Sequence, residues 1–331
     1  MSRPPAKTDV VPQILDSALR PVHWDDYVGQ KQVKANVRIA IDAAKKRGGM
    51  PEHFLFYGPP GVGKTTLAHL VAVTLDAPLK STSGVAIERA ADLAAILTNL
   101  EPGTVLFIDE IHRLSRKIEE LLYPALEGSH LDIVLGKGPS ARTVELALPS
   151  FTLVGATTRV AELSGPLRSR FGGGMYQLDF YTDEDLRDII RRSAKVLGLK
   201  APEEVIERIA ARSRATPRAA NALLKRVRDF SEVKDRALTA ALCDEACKMF
   251  GIDPLGLTKD DRRYLETLQT GFHGGPAGVR ALVAALHEDL DTVEHVYEPY
   301  LLRLGFIERS PRGRILTPRG REYLNGKSGL F

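Results

Sequence analysis

The sequence has no long apolar run, no internal repeat and few cysteines. No window approaches the roughly 18 consecutive apolar residues that a membrane-spanning helix requires, and residues 1–12 lack the apolar run of a signal peptide. We therefore expect a soluble, cytoplasmic protein that does not associate with membranes. Cys243 and Cys247 lie in a predicted helix with no nearby histidine or third cysteine, which favours a buried structural pair over a metal site.

The remaining composition is that of an ordinary folded protein with more than one domain. The chain has 331 residues, of which 44% are hydrophobic and 27% are charged, a length that accommodates two or three domains. Between residues 54 and 181, short apolar runs alternate with longer helical patterns, which predicts a parallel sheet covered by helices on both faces. Within this region, residues 131–148 contain two strand patterns around a polar, glycine-containing segment, as in a projecting β-hairpin.

The second half of the chain has a different pattern. After Tyr181 the strand signals stop, and Thr182 precedes an acidic first turn and an apolar helical face, which predicts an N-capped helix. More helical patterns continue to about residue 251. Beyond it, three helical patterns precede two short strands joined by the sequence SPRG, an order typical of a winged-helix module. We predict three domains, at residues 1–181, 182–254 and 255–331.

A glycine-rich segment carries the most specific functional signal. Residues 58–65 match the pattern G-x-x-x-x-G-K-[ST], in which glycines such as Gly61 and Gly63 let backbone N–H groups close around phosphate oxygens. Lys64 would neutralise the β- and γ-phosphates, and the hydroxyl of Thr65 would bind Mg²⁺. An apolar strand leads into the segment and a helical pattern begins at the lysine, as this chemistry requires. The sequence therefore predicts binding of ATP with Mg²⁺.

Two acidic residues close a second apolar strand. Asp109 and Glu110 follow the apolar residues 105–108, which places their carboxylates at the carboxyl end of a buried strand. Asp109 would hold Mg²⁺ there, and Glu110 could polarise the attacking water, which favours hydrolysis of ATP over transfer to another acceptor. The alternative is that both acids only cap the following helix.

Polar and basic residues follow a third strand. Thr157 comes directly after the strand at residues 151–156 and could orient the attacking water, although loop hydroxyls also serve simply to satisfy backbone groups. Arg168 and Arg170 follow a Gly-Pro break, so we expect both on an irregular, exposed segment. From there Arg170 could reach the γ-phosphate bound by a neighbouring subunit, and a solvated pair is the alternative.

The predicted second and third domains contribute further arginines. Thr216, Pro217 and Arg218 have the form of a helix N-cap, N1 and first-turn residue, which would aim Arg218 at nucleotide held between domains.

Residues 303–331 count 7 basic and 2 acidic side chains, so basic charge is concentrated at the C-terminus. Arginines on the predicted wing suit contact with DNA phosphates and the minor groove, and a solvated basic face is the alternative. The candidate contacts are Arg309, Arg312 and Arg314.

Together these motifs resemble AAA+ ATPases, and longer strings resemble one family among them. The strings GPPGVGKTTLA, FIDEIHRLSRKIEELLYPALE, LDIVLGKGPSART, GATTR and GPLRSRF, with a C-terminal winged helix, are similar to those of the RuvB family of Holliday-junction branch-migration motors over nearly the whole chain. The resemblance implies an α/β AAA+ P-loop ATPase domain, followed by a small all-α lid domain and a C-terminal winged-helix domain.

The same resemblance implies an assembly and its partners. We expect a homohexameric ring around duplex DNA that uses ATP hydrolysis to branch-migrate four-way junctions. RuvA would recruit it through the hairpin at residues 131–148, whose exposed apolar tip would bind a helical partner domain, and RuvC would join in the resolving complex.

Several residues take roles by this resemblance. Arg170 matches the arginine finger that acts on a neighbouring subunit, and Arg309 and Arg314 are favoured as DNA contacts. The chain departs from the family pattern at the glycine run 172–174, which is one residue longer and more flexible, and at Ala215, which replaces a glycine. The residues that match adenine or ATP contacts are Leu19, Arg20, Thr66, Tyr181 and Arg218.

Three other functions are alternatives. A clamp-loader or initiator-type AAA+ protein would switch conformation on DNA without moving it. A sequence-specific regulator would use the helix near residues 289–303 to contact bases, but that helix carries acidic residues that suit a DNA groove poorly. A metabolic P-loop kinase needs neither the extra domain nor the second arginine.

Overall fold

The computed structural model describes residues 18–135 and 142–326 of the chain. These residues form two compact units that are divided between Tyr181 and Thr182. None of the helices in the described part of the chain is long and apolar enough to cross a membrane.

The first unit is built on a parallel sheet, as the alternating pattern predicted. Its described strands are β1 (Phe54–Tyr57), β2 (Leu79–Ser83), β3 (Thr104–Asp109), β4 (His130–Leu135), β5 (Arg142–Ala147), β6 (Phe151–Thr157) and β7 (Gly174–Gln177). Five of them form the sheet, in the order β2-β3-β6-β1-β7, and all neighbours are parallel. The carboxyl ends of β1, β3 and β6 therefore lie side by side at one edge, where ligands bind in open α/β sheets.

Helices cover this sheet and bury its central strands. The described helices of the first unit are α1 (Lys31–Lys46), α2 (Lys64–Leu75), α3 (Ala90–Thr98), α4 (Arg116–Gly128) and α5 (Gly165–Ser169), with 3-10 turns at Trp24–Asp26, Gly84–Ala86, Ile111–Arg113 and Val160–Glu162. Every residue of β6 is buried, as are the first five of β3. Because each large apolar side chain removed from water contributes about 1.5–3 kcal/mol, burial of these strands helps to hold the sheet edge of the candidate site in place.

A two-stranded antiparallel hairpin accompanies the sheet, as predicted. β4 pairs with β5 from His130 opposite Ala147 to Leu135 opposite Arg142. Leu131 and Leu148 are buried in the same apolar cluster as Ile118 and Leu122 of α4, so the root of the hairpin is anchored in the core. The predicted tip at residues 136–141 lies outside the described residues.

The first part of the second unit is helical. Its described helices are α6 (Asp183–Val196), α7 (Glu203–Ala211), α8 (Pro217–Lys234) and α9 (Ala240–Met249). The predicted N-caps are confirmed, since Thr182 forms a capping box with Asp185 and Thr216 accepts a hydrogen bond from the N–H of Ala219. Cys243 and Cys247 are both buried and reduced on α9, as expected.

The last part of the second unit has its own core and a small β-hairpin. The elements are α10 (Lys259–Gly271), α11 (Val279–Leu286), α12 (Leu290–Thr292), a π-helical turn at Val293–Tyr297, α13 (Glu298–Arg303), β8 (Ile307–Ser310), β9 (Gly313–Leu316) and α14 (Pro318–Leu324). β8 and β9 are antiparallel, and their root packs on Tyr264, Leu268 and Phe306. Three helical segments followed by this hairpin form the predicted winged helix.

Candidate functional site

The loop between β1 and α2 is shaped by glycines. Gly58, Gly61 and Gly63 have φ angles of 138°, 81° and 101°, which residues with side chains rarely adopt. A Cβ atom at Gly58 would lie 2.2 Å from the carbonyl oxygen of Leu178. The backbone therefore curls as tightly as a phosphate-binding nest requires, directly before the N-terminus of a helix.

Lys64 is the first residue of α2 and is buried, with 7% of its surface exposed. Its Nζ donates hydrogen bonds to the carbonyl oxygens of Gly58 and Pro59, each at 2.8 Å. The loop thus holds the ammonium group over its own backbone, where phosphate oxygens can replace the two carbonyls as stronger, charged acceptors. Thr65 and Thr66 follow in the first turn of the helix and are half-buried.

The oxygen donors at this sheet edge suit Mg²⁺. Thr65 offers a hydroxyl and Asp109, the last residue of β3, offers a carboxylate, and Mg²⁺ prefers hard oxygen ligands of this kind. Oδ1 of Asp109 accepts a hydrogen bond from the N–H of Glu110 at 3.0 Å, which fixes the orientation of the carboxylate. Thr65 and Asp109 therefore fit the predicted role of metal ligands.

Glu110 has an unusual backbone and a well-defined set of partners. Its φ of 45° lies in the left-handed region, so the chain turns sharply at the end of β3. Its Oε2 accepts hydrogen bonds from the N–H and the hydroxyl of Thr158, at 3.1 and 3.2 Å, and lies 3.2 Å from Nδ1 of His112. Burial alone would raise the pKa of Glu110, but His112, the N–H of Thr158 and the charge of Lys64 lower it to about 2. The carboxylate is therefore firmly ionised.

His112 and the contact of Thr158 with Glu110 were missed from the sequence. The hydroxyl of Thr157 lies 2.9 Å from Nδ1 of His112 and accepts the N–H of Arg159 at 2.9 Å, so it reaches Glu110 only through the histidine. Thr158 makes the direct contact. The sequence did hold a signal for His112, because this histidine follows the acidic pair by only two residues and stands in the short turn after β3. Thr158 follows the end of β6, where strand periodicity no longer specifies the direction of a side chain.

Arg170 corrects one prediction. The segment expected to be irregular and exposed forms the short helix α5, capped by Ser164, and Arg170 follows it with 18% of its side chain exposed. Its guanidinium donates to the carbonyl of Pro166 at 2.7 Å, pairs with Glu127 at 3.1 Å and lies 4.2 Å from the ring of Tyr123. Arg170 therefore docks on the end of α4, while Arg168 is exposed.

The glycine run 172–174 has a packing role. A Cβ atom at Gly173 would lie 2.6 Å from the carbonyl oxygen of Glu52 and 2.8 Å from that of His53. The N–H of Gly173 also donates to the carbonyl of His53 at 2.9 Å. The run therefore presses against the chain entering β1 and leads directly into β7, whereas the sequence suggested a flexible step.

Of the residues expected to hold adenine, Arg20 contacts α2. Leu19 is buried, and Arg20 donates a hydrogen bond to Nε2 of His69. Burial and the charge of Arg20 lower the pKa of His69 to about 4, so the ring is neutral and can act as this acceptor.

Two tyrosines pack on the same loop. Tyr181 is buried and donates from its hydroxyl to the carbonyl of Val62 at 3.3 Å. Tyr27, which the sequence did not single out, is equally buried, and a Cβ atom at Gly63 would lie 2.9 Å from its hydroxyl. Both rings support the back of the phosphate loop. Arg218 belongs to the second unit, where it is exposed in the first turn of α8.

The wing arginines differ in their surroundings. Arg309 and Arg314 stand opposite each other on β8 and β9, and both pair with Glu298, whose side chain is fully buried. Arg314 also pairs with Glu294 at 2.6 Å and is only 14% exposed. It is therefore an internal ion-pair partner, whereas the sequence favoured it as a DNA contact. Arg309 remains 48% exposed, and Arg312 is exposed at the turn.

Comparison with protein families covers nearly the whole chain. Residues 19–177 match the model of the Holliday junction DNA helicase RuvB P-loop domain, residues 181–253 the RuvB AAA lid domain, and residues 254–325 the RuvB C-terminal winged-helix domain. The chain belongs to the RuvB family. Both the family and the three-part fold predicted from the sequence are thereby confirmed.

Individual RuvB proteins are similar along most of their length. The Holliday junction branch migration complex subunit RuvB of Dehalococcoides mccartyi is 54% identical over 312 residues, which are 94% of this chain and 89% of that protein. The Thermotoga maritima RuvB Holliday junction branch migration motor superimposes with a TM-score of 0.85 at 45% identity, covering 93% of this chain and 98% of that one. A variant of the same Thermotoga protein gives a TM-score of 0.86.

Proposed function

We propose that this RuvB family member is an ATP-hydrolysing motor subunit that moves duplex DNA to branch-migrate Holliday junctions in the cytoplasm. The observation that carries the proposal is the site at the sheet edge, where an ionised Glu110 accepts hydrogen bonds from Thr158 and senses the charge of Lys64 on the phosphate loop. The relative from Dehalococcoides mccartyi, similar over nearly its full length, is named as a branch migration subunit. That similarity favours a motor over a clamp loader.

The phosphate loop accounts for ATP binding. N–H groups around Gly61 and Gly63 would surround phosphate oxygens, and Lys64 would exchange its carbonyl partners for the β- and γ-phosphates. Mg²⁺ held by Thr65 and Asp109 would supply positive charge that stabilises the transferring phosphoryl group. Leu19, Arg20, Thr66 and Tyr181 would form the remaining contacts within the first unit, and Arg218 would add one from α8.

Glu110 would position the attacking water. With a pKa of about 2 the carboxylate is a weak base while His112 and Thr158 hold it. Loss of these hydrogen bonds would raise the pKa and direct the carboxylate toward water. We therefore propose that the arrangement in the structure is a resting one, and that Thr157 and Thr158 report the state of the γ-phosphate to Glu110.

The second unit would hold DNA through the surface of its wing. Arg309 and Arg312 are the exposed arginines there, and phosphate contacts without base contacts allow a protein to slide along a duplex. Arg314 would support the wing from inside through Glu298. The partners we propose are duplex DNA and four-way junctions, RuvA through the hairpin at residues 131–148, RuvC in the resolving complex, and copies of this chain in a homohexameric ring.

The test is ATP-driven branch migration of a synthetic four-way junction by the full chain, with and without RuvA. We expect strand exchange that requires ATP and Mg²⁺ and increases strongly with RuvA. Glu110→Gln should bind ATP and junction but hydrolyse ATP at least about 100-fold more slowly, because it removes the group that acts on water. Glu101→Gln changes an exposed glutamate and serves as the matched control.

Two outcomes would contradict the proposal. Stable ATP-dependent loading on DNA without strand exchange would indicate a clamp loader or initiator. Hydrolysis by Glu110→Gln at the rate of Glu101→Gln would remove Glu110 from the reaction.

A further inference from the structure

The root of the β4–β5 hairpin gathers three metal-ligating side chains outside the ATP site. His130 and Asp132 are two residues apart on β4 and so project from the same face of the strand. Glu145 of β5 stands directly opposite Asp132 in the antiparallel register. One ligand atom from each of the three side chains lies within 4.8 Å of the others.

Asp132 and Glu145 bring two carboxylates of like charge together on neighbouring strands. Like charges directly opposite each other on neighbouring strands destabilise a hairpin, because their Cβ atoms are only about 4.5–5.5 Å apart. Among the described residues, none donates a hydrogen bond to Asp132 or Glu145 and none forms an ion pair with them. A bound cation would convert this repulsion into attraction toward a common centre.

The position of His130 depends on a glycine in the turn before it. A Cβ atom at Gly128 would lie 2.5 Å from Nδ1 and 2.6 Å from Cε1 of the His130 ring, so a residue with a side chain would displace the imidazole. Ser129, between them, has a φ of 52°, which turns the chain sharply from α4 into β4. The end of α4 therefore supports the imidazole on the same side as the carboxylates.

We propose that His130, Asp132 and Glu145 form a binding site for a divalent transition metal ion of the Zn²⁺ class. An imidazole nitrogen with two carboxylates suits Zn²⁺ and its neighbours, whereas Mg²⁺ prefers oxygen ligands alone. Three protein ligands leave further coordination positions open to water or to a ligand from a partner. Since none of the three side chains is buried, the ion enters from solvent without a change in the fold.

The bound ion would fix the hairpin root. It joins both strands to each other and, through His130, to the end of α4. The site is separate from the ATP-binding residues, so metal binding here does not depend on the proposed motor function.

The experiment is Zn²⁺ titration of the nucleotide-free full chain by isothermal calorimetry, with equilibrium dialysis for stoichiometry. Loss of an outer-shell partner already costs about 10- to 100-fold in metal affinity, so removal of a direct ligand should cost at least as much. We expect His130→Ala and the near-isosteric Glu145→Gln to lose one Zn²⁺ per chain or to bind it at least about tenfold more weakly. His23→Ala, which removes an exposed histidine elsewhere, should match the wild type.

Co²⁺ absorption gives a second readout. The wild type and His23→Ala should develop visible ligand-field bands that His130→Ala and Glu145→Gln lack, while far-ultraviolet circular dichroism shows all four chains folded. His130→Ala should keep wild-type ATPase activity with Mg²⁺. Equal Zn²⁺ stoichiometry and affinity in the wild type and in both variants would overturn the proposal, whatever the outcome of the branch-migration assay.

Discussion

At the scale of single residues, neighbours decide what a motif residue does. Lys64 and Glu110 are both predictable from sequence strings, but their present states are not. Lys64 is satisfied by two loop carbonyls, and Glu110 is held ionised by His112 and Thr158. Ligand binding must therefore replace existing hydrogen bonds. The side chains of both residues are therefore positioned before any ligand binds.

Glu110 supports a pH prediction with a defined sign. Burial acts to raise its pKa, but hydrogen bonds and Lys64 lower the pKa from 4.5 to about 2. The folded chain thus binds this proton more weakly than the unfolded chain, so ionised Glu110 stabilises the fold above pH 4.5 and this contribution is lost as pH falls toward 2. In thermal unfolding without nucleotide, the wild type should lose more stability over this range than Glu110→Gln. Glu101→Gln should follow the wild type, and equal losses in all three chains would contradict the assignment.

Sequence patterns identified the chemistry and missed the long-range contacts. The glycine loop, the acidic pair and the N-cap at Thr216 are local signals, and the structure has each in the expected element. The docking of Arg170 on Glu127 joins residues far apart in the chain. Such contacts depend on how α4 and α5 pack, and a local sequence window carries no information about that packing.

At the scale of elements, two hairpins of similar construction place charge differently. In the β4–β5 hairpin, two acids stand opposite each other, and no described residue forms an ion pair with either of them. In the wing, Arg309 and Arg314 stand opposite each other, and buried Glu298 lies between their guanidinium groups. The wing therefore balances its like charges internally, and only part of its basic charge is available to DNA.

The wing leads to a prediction that separates surface from internal arginines. Arg312→Ala should leave stability unchanged, weaken duplex binding and reduce the slope of log K against log salt by about 0.9, the effect of one lost phosphate contact. Arg314→Ala should instead destabilise the winged helix by about 1.5–3 kcal/mol, because Glu298 loses charged hydrogen bonds. Salt titrations followed by fluorescence anisotropy, together with thermal unfolding, distinguish the two effects. A stable Arg314→Ala chain with the reduced salt slope would show that Arg314 contacts DNA directly.

At the scale of the whole molecule, side-chain contacts join the helical part of the second unit to its winged helix. Arg214 and Ala215 have φ angles of 50° and 55°, a conformation that costs about 1–2 kcal/mol per residue, and they immediately precede the N-cap of α8. The guanidinium of Arg214 pairs with buried Asp261, donates to the carbonyl of Val296 and lies over the ring of Tyr300. The turn before α8 is therefore tied directly to the winged-helix core, two residues before Thr216 and four before Arg218.

The proposed ring leads to a prediction about Arg170, which contacts Glu127 and Tyr123 here and in the proposal would act on a neighbouring subunit. Arg170→Ala subunits keep an intact phosphate loop, and Lys64→Ala subunits keep the finger. Mixing the two should restore ATP hydrolysis above either variant alone, because some interfaces then combine a working loop with a working finger. Mixing Arg170→Ala with the double variant Lys64→Ala/Arg170→Ala supplies no finger and should restore nothing. Arg168→Ala, the exposed neighbour, should hydrolyse ATP without any mixing. If both mixtures behave alike, each subunit completes its own site and the finger does not act between subunits.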